Sequence, residues 1–432
     1  MASSLESQGL VAEPYWWDAA PLSDLAQVPL PERVDVAVVG SGYTGLSAAL
    51  TLARAGRQVA VFEAETPGIG ASTRNGGIAS GSIRLSHDAL VRRLGLEGAV
   101  AVHREGKAAR RELVDFLERE KIACDFSLSG RFTGARTAKD YEGLAREAEL
   151  LSRHGDIETQ VVPRAEQHRE IGSDVYHGGV VRPDIGGLHP GRFHQGLLAR
   201  AQEAGVIVLA WTPVTGIERE AEGFTVATAR GTVNARETIV ATNGYSGPST
   251  GWLQRRMIPI QSQIIATEPL DRQVMDRLMP RARMIGDTCR LHHYYRPSPD
   301  GTRILFGGRA GATKADPRAS GARLHRDLLR VFPDLEGVAI SHSWSGYTGF
   351  TFDELPHLAV HDGVHYPTGF CGSGVVWAPY LGRKAALRIL GAKDAETVFD
   401  RGHLQTRPLY GGQPWFLPAV FAYYGLRDRL PF

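Results

Sequence analysis

The chain has 432 residues, of which 43% are hydrophobic and 22% charged, and its formal net charge is +2 at pH 7. This length allows two or three domains with sizeable cores, and the near-neutral charge argues against a nucleic-acid-binding protein. Cys124, Cys289 and Cys371 have neither metal-ligand nor redox spacing, so we expect no metal centre and no disulfide framework. Because no signal-like start and no long apolar run occurs, we predict a cytoplasmic protein without a membrane span.

An apolar strand near the N-terminus leads directly into a glycine-rich turn. Residues 34–39 are followed by Gly40, Gly42 and Gly45 in G-x-G-x-x-G spacing, then by a helical pattern, a second apolar strand and Glu63. In such a unit the glycines allow a pyrophosphate to approach the helix N-terminus, and the acid binds ribose hydroxyls. The dinucleotide contacts predicted here are Gly40, Gly42, Tyr43, Thr44, Gly45, Glu63 and Ala64.

A second loop, rich in glycine and hydroxyl residues, distinguishes between two dinucleotides. It follows Glu63, runs over 70–77 and contains one cation, Arg74. A nicotinamide-binding fold has no obvious use for this loop, whereas FAD has a second phosphate and a ribityl chain that need N–H donors. The predicted cofactor is therefore FAD, and the predicted contacts are Gly70, Ala71, Ser72, Thr73, Arg74, Asn75, Gly76 and Gly77.

With these motifs the chain resembles the D-amino-acid oxidase family of FAD-dependent amine oxidoreductases, which includes glycine and sarcosine oxidases. Pro14-Tyr15-Trp16-Trp17 is similar to the γ-glutamylputrescine oxidase branch, and further similar blocks occur at 187–190, 205–214, 237–244 and 369–375. The resemblance implies that the last block opens a helix whose N-terminus faces the pyrimidine edge of the flavin. It also implies flavin contacts by Val214, Thr242, Asn243, Gly244, Gly349, Cys371, Gly372, Ser373, Gly374 and Val375.

The order of these blocks predicts an α/β fold in which a Rossmann-type FAD-binding domain is interleaved with an α+β substrate domain built on an antiparallel sheet. Apolar spacing in 85–185 is typical of helices, whereas 251–344 is predicted to contain strands at 257–267, 291–296 and 302–308. The predicted division is an arm at 1–32, FAD-binding segments at 33–84, 186–250 and 345–392, substrate segments at 85–185 and 251–344, and a tail at 393–432 packed on the core.

The resemblance implies hydride transfer from an amine carbon to flavin, followed by hydrolysis of the imine. The predicted catalytic residues are Tyr295, Arg309, Trp344 and Tyr347. Tyr294 and Arg296 are further pocket candidates, although only one of two adjacent tyrosines on a strand can face a pocket. By the same alternation, we expect no shared role for His292 and His293.

Two departures from the family pattern bear on chemistry. Thr348 stands where glycine and D-amino-acid oxidases have an arginine for the substrate α-carboxylate, which favours an amine over a free α-amino acid unless Arg296 or Arg309 substitutes. No cysteine occurs at 346–348 and no histidine at 74–75, the positions of covalent attachment in some relatives, so we expect non-covalent FAD.

The expected partners are a small-molecule amine and oxygen or another electron acceptor, with no nucleic acid. Two other functions stay open. One is an amino-acid oxidase or dehydrogenase, and the other is a non-catalytic flavin-binding subunit. The pocket sheet and the C-terminal flavin helix favour an enzyme, because a binding module needs neither.

Overall fold

The computed structural model describes residues 6–309, 316–400 and 404–428. The strands are β1 (Glu6–Val11), β2 (Arg33–Val39), β3 (Val59–Phe62), β4 (Ile78–Ala79), β5 (Arg131–Gly134), β6 (Gln160–Val162), β7 (Gly179–Arg182), β8 (Gly186–Gly187), β9 (Ile207–Leu209), β10 (Val214–Glu220), β11 (Gly223–Thr228), β12 (Gly231–Val240), β13 (Ile258–Thr267), β14 (Met284–Asp287), β15 (Tyr294–Pro297), β16 (Ile304–Gly308), β17 (Ile340–Phe350), β18 (His357–His361) and β19 (Val364–Thr368). The α-helices are α1 (Trp16–Ala19), α2 (Tyr43–Arg54), α3 (Ala71–Arg74), α4 (His87–Arg119), α5 (Ala138–Gly155), α6 (Pro190–Glu203), α7 (Gly251–Gln254), α8 (Arg272–Leu278), α9 (Pro317–Val331), α10 (Gly374–Ile389) and α11 (Leu417–Arg427).

The first sheet has the strand order β10-β11-β12-β2-β3-β9, with β19 also paired to β12 and β18 to β19. Strands β12, β2, β3 and β9 are parallel, and β19 runs parallel to β12. The apolar residues of β2 and β3 are buried on both faces, as expected for a parallel sheet covered by other elements. Helix α2 follows β2 directly, so the predicted βαβ unit is present.

The second sheet has the order β1-β17-β13-β16-β15-β14-β5-β7-β6. It is mostly antiparallel, as predicted, although β1 runs parallel to β17 and β14 parallel to β5. Strand β1 comes from the predicted N-terminal arm, and β17 crosses the predicted boundary at residue 345. Phe306 and other apolar side chains on one face of this sheet pack against Leu324 and Leu328 of α9.

The predicted substrate segment at 85–185 contains two long helices, α4 and α5, with β5 between them. Helix α4 is interrupted at Gly95, where φ is +73°, and Thr137 caps α5 through its side-chain oxygen. Strands β5, β6 and β7, which the apolar spacing did not predict, lie in the same segment and join the second sheet. Among the described residues, no helix is long and apolar enough to cross a bilayer.

The C-terminal tail packs on the core with only part of its length. Tyr410 and Leu417 are buried beside Ile258, whereas the side chains of Trp415 and Tyr423 are 70% and 56% exposed. The predicted tail also includes residues 401–403 and 429–432, which lie outside the described residues. The start of α11 is therefore placed by a few buried contacts rather than by the whole aromatic run.

Candidate functional site

The first part of the site is the turn between β2 and α2. Gly40 has φ +101°, a conformation that favours glycine, and a Cβ on Gly45 would lie 1.9 Å from the Gly40 carbonyl oxygen. Gly42 precedes α2 without a side-chain cap, so the first N–H groups of the helix are not all consumed within the helix end. This geometry suits a phosphate at the helix N-terminus.

Glu63 lies at the carboxyl end of β3, next to the turn. Its Oε2 accepts hydrogen bonds from the Ser41 backbone N–H at 3.0 Å and from the Ser41 hydroxyl at 2.6 Å. The Thr212 N–H donates to the Glu63 carbonyl at 2.7 Å, which brings the segment before Val214 to the same edge. The carboxylate is thus fixed where the ribose of a dinucleotide would lie in a Rossmann unit. The predicted ribose contact remains a prediction.

The second loop, 70–77, lies against this turn and against β17. Ser72 Oγ accepts a hydrogen bond from the Tyr43 N–H at 2.9 Å, and the Arg74 guanidinium donates to the Ile69 and Ser345 carbonyls. The Asn75 side chain closes the loop internally by accepting from the Gly77 N–H at 2.8 Å. These bonds give the loop a fixed backbone.

Three tryptophan side chains hold the same loop from outside. The indole N–H of Trp16 donates to the Asn75 carbonyl at 2.8 Å, that of Trp17 to Thr73 Oγ1 at 3.0 Å, and that of Trp344 to the Arg74 carbonyl at 3.0 Å. Buried indole N–H groups need such partners. Trp16 and Trp17 belong to the N-terminal block noted in the sequence, whose structural role that pattern did not reveal.

The segment after β12 connects the two sheets at the site. Asn243, with φ +43°, accepts hydrogen bonds through Oδ1 from the Thr368 hydroxyl and the Gly369 N–H, each at 3.0 Å. A Cβ on Gly349 would lie 2.5 Å from this Oδ1, and one on Gly244 would lie 2.9 Å from the Gly349 nitrogen. The glycines at 244 and 349 therefore allow this close approach of β17 to the first sheet.

Helix α10 starts beside the cavity described next. Cys371 and Gly372 both have positive φ, and Ser373 precedes the helix without a side-chain cap. The Cys371 thiol donates to the Gly369 carbonyl at 3.1 Å, and burial raises its pKa to about 12. The thiol is consequently protonated at neutral pH, while the helix N–H groups lie near the cavity wall.

A cavity of about 670 Å³ lies between these loops and the second sheet. One side of the cavity is formed by the loop at 70–77, which we call the flavin loop, and by the start of α10. The lining residues on this side are Ala71, Arg74, Asn75, Gly76, Cys371, Gly372, Ser373 and Val375. The sheet side is lined by Ile260, Ser262, Tyr294, Arg309, Gly346, Tyr347, Thr348 and Phe350. The volume falls within the range of small-molecule and cofactor pockets.

Tyr294, and not Tyr295, faces this cavity, so the prediction of Tyr295 as a catalytic residue is wrong. Tyr295 is fully buried on the opposite face of the sheet, where its hydroxyl lies 2.7 Å from that of Tyr176. The Tyr294 hydroxyl instead lies 2.8 Å from Ser262 Oγ, and burial raises its pKa to about 12. Alternation along β15 made one of the two certain to be buried, but the sequence did not indicate which.

Trp344 and Arg296 also have roles different from those predicted. Trp344 is fully buried against Trp16 and Ile264 and does not line the cavity. The guanidinium of Arg296 donates to the carbonyls of Leu188 and Gly77 at 2.9 and 3.2 Å, so it is unsuited to anchor a substrate carboxylate. Both side chains support the flavin loop from behind.

Arg309, Tyr347 and Thr348 do line the cavity. The Arg309 guanidinium carbon lies 4.9 Å from the centre of the Phe350 ring, and burial lowers the pKa of Arg309 to about 10. The Tyr347 ring packs edge-to-face on Tyr245 at 5.6 Å. Because residue 348 is a threonine rather than an arginine, Arg309 is the positively charged side chain on this part of the sheet wall.

His292 and His293 share a partner, contrary to the prediction. They lie in the loop before β15 rather than in a strand, so strand alternation does not apply. His293 Nδ1 lies 2.8 Å from Asp287 Oδ2, and His292 Nδ1 lies 2.9 Å from the Asp287 carbonyl oxygen. The Asp287 carboxylate, with Cys289 and His293, forms a compact group of possible metal ligands. However, the Asp287 carboxylate already accepts hydrogen bonds from the backbone N–H groups of Cys289 and His293. We therefore assign Asp287 a structural role, which is to stabilise the loop before β15.

Comparison with known proteins identifies the class. Residues 35–388 match the model of the DAO family, described as FAD dependent oxidoreductases. The chain belongs to this family, which confirms the resemblance found in the sequence, and it is an FAD-dependent oxidoreductase. The glycine turn, the uncapped helix ends and the cavity beside the start of α10 fit this cofactor.

Two relatives and one solved structure illustrate the similarity. The chain is 34% identical to gamma-glutamylputrescine oxidoreductase of Escherichia coli (strain K12), over 92% of this chain and 93% of the relative. It is 31% identical to the probable oxidoreductase OrdL of Rhizobium meliloti (strain 1021), over 98% of this chain and 99% of the relative. The glycine oxidase structure from Geobacillus kaustophilus superposes with a TM-score of 0.72 at 21% identity, covering 88% and 99% of the two chains.

Proposed function

We propose that this protein oxidises a C–N bond of a primary or secondary amine to an imine, which then hydrolyses. The observation that supports this substrate class is Thr348 on the cavity wall, at the position where an α-carboxylate-binding arginine is expected in amino-acid oxidases. Gamma-glutamylputrescine is one candidate amine, by similarity to the relative that carries its name. Non-covalent attachment of FAD is part of the same proposal.

When bound, FAD supplies the acceptor for the hydride that leaves the carbon beside the amine nitrogen. The chain itself prepares the amine. Arg74, Arg84 and Arg309 line the cavity, where Glu354 is their neighbouring carboxylate and is 3.2 Å from Arg84. Excess positive charge lowers the pKa of a bound ammonium group and so favours the neutral, oxidisable amine.

Side chains of the second sheet would orient this amine and exclude water. Ile260 and Phe350 give the wall an apolar surface, and the protonated Tyr294 hydroxyl is available as a hydrogen-bonding group beside Ser262. Holding the reacting carbon in one orientation contributes more to such a reaction than acid–base chemistry does. We therefore assign Tyr294 and Tyr347 to positioning the substrate.

Amino-acid oxidation is a second candidate because of Arg309. No ion pair joins this arginine to a carboxylate within the described part of the chain, and its guanidinium is close to the flavin side of the cavity. An α-carboxylate could form an ion pair with Arg309 in place of the arginine that is expected at position 348.

The experiment is anaerobic reduction of the flavin by matched pairs, each an amine and its α-carboxylated analogue. We expect the amine to reduce the flavin faster, because a carboxylate without a forked partner loses hydration on binding. Faster reduction by the carboxylated member across several pairs, abolished in Arg309→Leu, would contradict this and establish the second candidate. The exposed Arg281→Leu variant is the control for loss of a positive charge.

A further inference from the structure

The cavity continues beyond the flavin side to a polar end at β14 and β5. Thr288, Arg290 and His292 line this end from the loop before β15, Arg131 lines it from β5, and Tyr424 from α11. Neither the sequence motifs nor the proposed reaction gives these residues a role. They lie several strands away from Arg309.

Arg131 is held in a defined position on the cavity face of the sheet. Its neighbour Phe132 lies in the core on the opposite face, so Arg131 points towards the cavity side. The guanidinium lies over Gly286, where a Cβ would be 2.2 Å from Nη2. Glycine at this position of β14 therefore makes space for the guanidinium.

His292 orients the guanidinium without neutralising its charge. Because the His292 Nδ1 lies 2.9 Å from the Asp287 carbonyl oxygen, Nδ1 carries the proton. The other ring nitrogen, Nε2, then accepts a hydrogen bond from Arg131 Nη2 at 3.3 Å. Burial lowers the pKa of His292, which keeps the ring neutral and able to accept this bond.

Arg131 has no carboxylate partner among the described residues, and its buried Nε has no hydrogen-bond partner there. Arg182, the register neighbour of Arg131 on β7, pairs with Asp184, a carboxylate that it shares with Arg110. The Asp287 carboxylate is used by the loop and by His293. This end of the cavity therefore carries excess positive charge, and a buried guanidinium normally has an anionic partner.

We infer that Arg131 binds a carboxylate at the far end of the amine substrate, opposite the amine that is oxidised. The inference rests on the proposed amine oxidation and specifies its substrate class. A guanidinium matches a carboxylate through two parallel hydrogen bonds. His292 holds the guanidinium in place for this group but does not donate to it, because its single N–H is used by the Asp287 carbonyl.

The sheet gives the approximate length of such a substrate. Strand β16, which precedes Arg309, and strand β5, which carries Arg131, are separated by β15 and β14, so at about 4.8 Å per strand the two strands lie about 14 Å apart across the sheet. An extended chain advances by roughly 3.5 Å for every three bonds, so about twelve bonds span this distance. An α-amino acid, whose carboxylate is attached to the reacting carbon, cannot bridge it.

The test uses the holoenzyme and two series of linear compounds, the ω-amino acids and the n-alkylamines of about four to sixteen carbons, chosen to bracket that span. The dissociation constant of each is obtained from the saturation of anaerobic flavin reduction. We expect the ω-amino acids to bind about ten- to a hundredfold more tightly than amines of equal length, but only when the chain is long.

Arg131→Leu should remove this advantage, Arg131→Lys should restore part of it, and Arg281→Leu should leave it unchanged. If Arg131→Leu does not retain FAD, the dependence of binding on chain length and the measurements on Arg131→Lys still test the inference. No advantage for the carboxylated series at any length, or an advantage that survives in Arg131→Leu, overturns the inference while amine oxidation stands.

If no amine reduces the flavin, the proposed function fails. The anion site is tested separately by titrating the holoenzyme with n-alkane carboxylates and following the flavin absorbance. Saturable binding that Arg131→Leu weakens supports the site without the reaction. Binding that is absent, or equal in the two proteins, overturns it.

Discussion

At the scale of single residues, Glu63 is the most direct test of how the chain holds FAD. Its carboxylate already accepts two hydrogen bonds from Ser41 and is therefore prepositioned at the end of β3. Glu63→Gln keeps one acceptor oxygen but removes the charge. We expect the FAD dissociation constant to rise about tenfold or more, since hydrogen bonds to charged groups contribute about 1.5–3 kcal/mol.

The measurement is fluorescence titration of the apoprotein with FAD, with the exposed Glu65→Gln as control. It requires FAD that can be removed, and we predict that acid precipitation leaves all flavin in the supernatant. The protonated thiol of Cys371 and the absence of cysteine at 346–348 are the reasons. Equal affinity in Glu63→Gln would place the ribose elsewhere, and flavin in the pellet would refute non-covalent attachment.

Single residues also show which parts of the site could be predicted from the sequence and which could not. Gly40, Gly42 and Gly45 were predictable because their spacing encodes a local turn. The choice between Tyr294 and Tyr295 was not, because it depends on which face of the sheet receives α9 and which receives the cavity. Arg131 was missed for a similar reason, since its guanidinium gains its position from Gly286, on a strand distant in sequence.

At the scale of elements, the N-terminal arm supports the flavin loop. Trp16 lies fully buried in α1 and donates its indole N–H to the Asn75 carbonyl. Trp16→Phe keeps a large ring but leaves that carbonyl without its partner, at a cost of about 1–3 kcal/mol. We expect a lower thermal unfolding midpoint and weaker FAD binding.

Differential scanning fluorimetry and FAD titration measure the two effects, and Trp415→Phe is the matched control because that side chain is 70% exposed. If Trp16→Phe behaves like the control in both measurements, the arm does not support the loop. A stability loss with unchanged FAD affinity would limit the role of Trp16 to packing.

The elements that the sequence predicted least well are those whose partners are far away. The block at 14–17 was visible in the sequence, but the pairing of β1 with β17 brings together segments more than three hundred residues apart. The late start of β15 follows from Asp287, whose carboxylate accepts backbone N–H groups and shapes the preceding loop. The alternation of side chains along a strand does not indicate that an aspartate side chain will bond to the backbone and delay the start of the strand.

At the scale of the whole molecule, the cavity lies where the two sheets meet. The loop at 70–77, which follows β3 of the first sheet, and the start of α10 form one wall, and the second sheet provides the opposite wall. The Rossmann pattern and the order of the blocks were sufficient to predict the α/β fold with a second, mostly antiparallel sheet. The positive charge of the cavity was not predictable, because Arg74, Arg84, Arg131 and Arg309 come from four separate segments.

The central claim is that the chain oxidises amines with its flavin, and the most direct measurement is the flavin spectrum of the holoenzyme mixed anaerobically with a long-chain primary amine that carries a terminal carboxylate. The account predicts that the oxidised flavin absorbance bleaches and that an aldehyde and ammonia appear in equal amounts. A flavin that dithionite reduces fully but that stays oxidised with this compound, with the n-alkylamines and with their α-carboxylated analogues would contradict it.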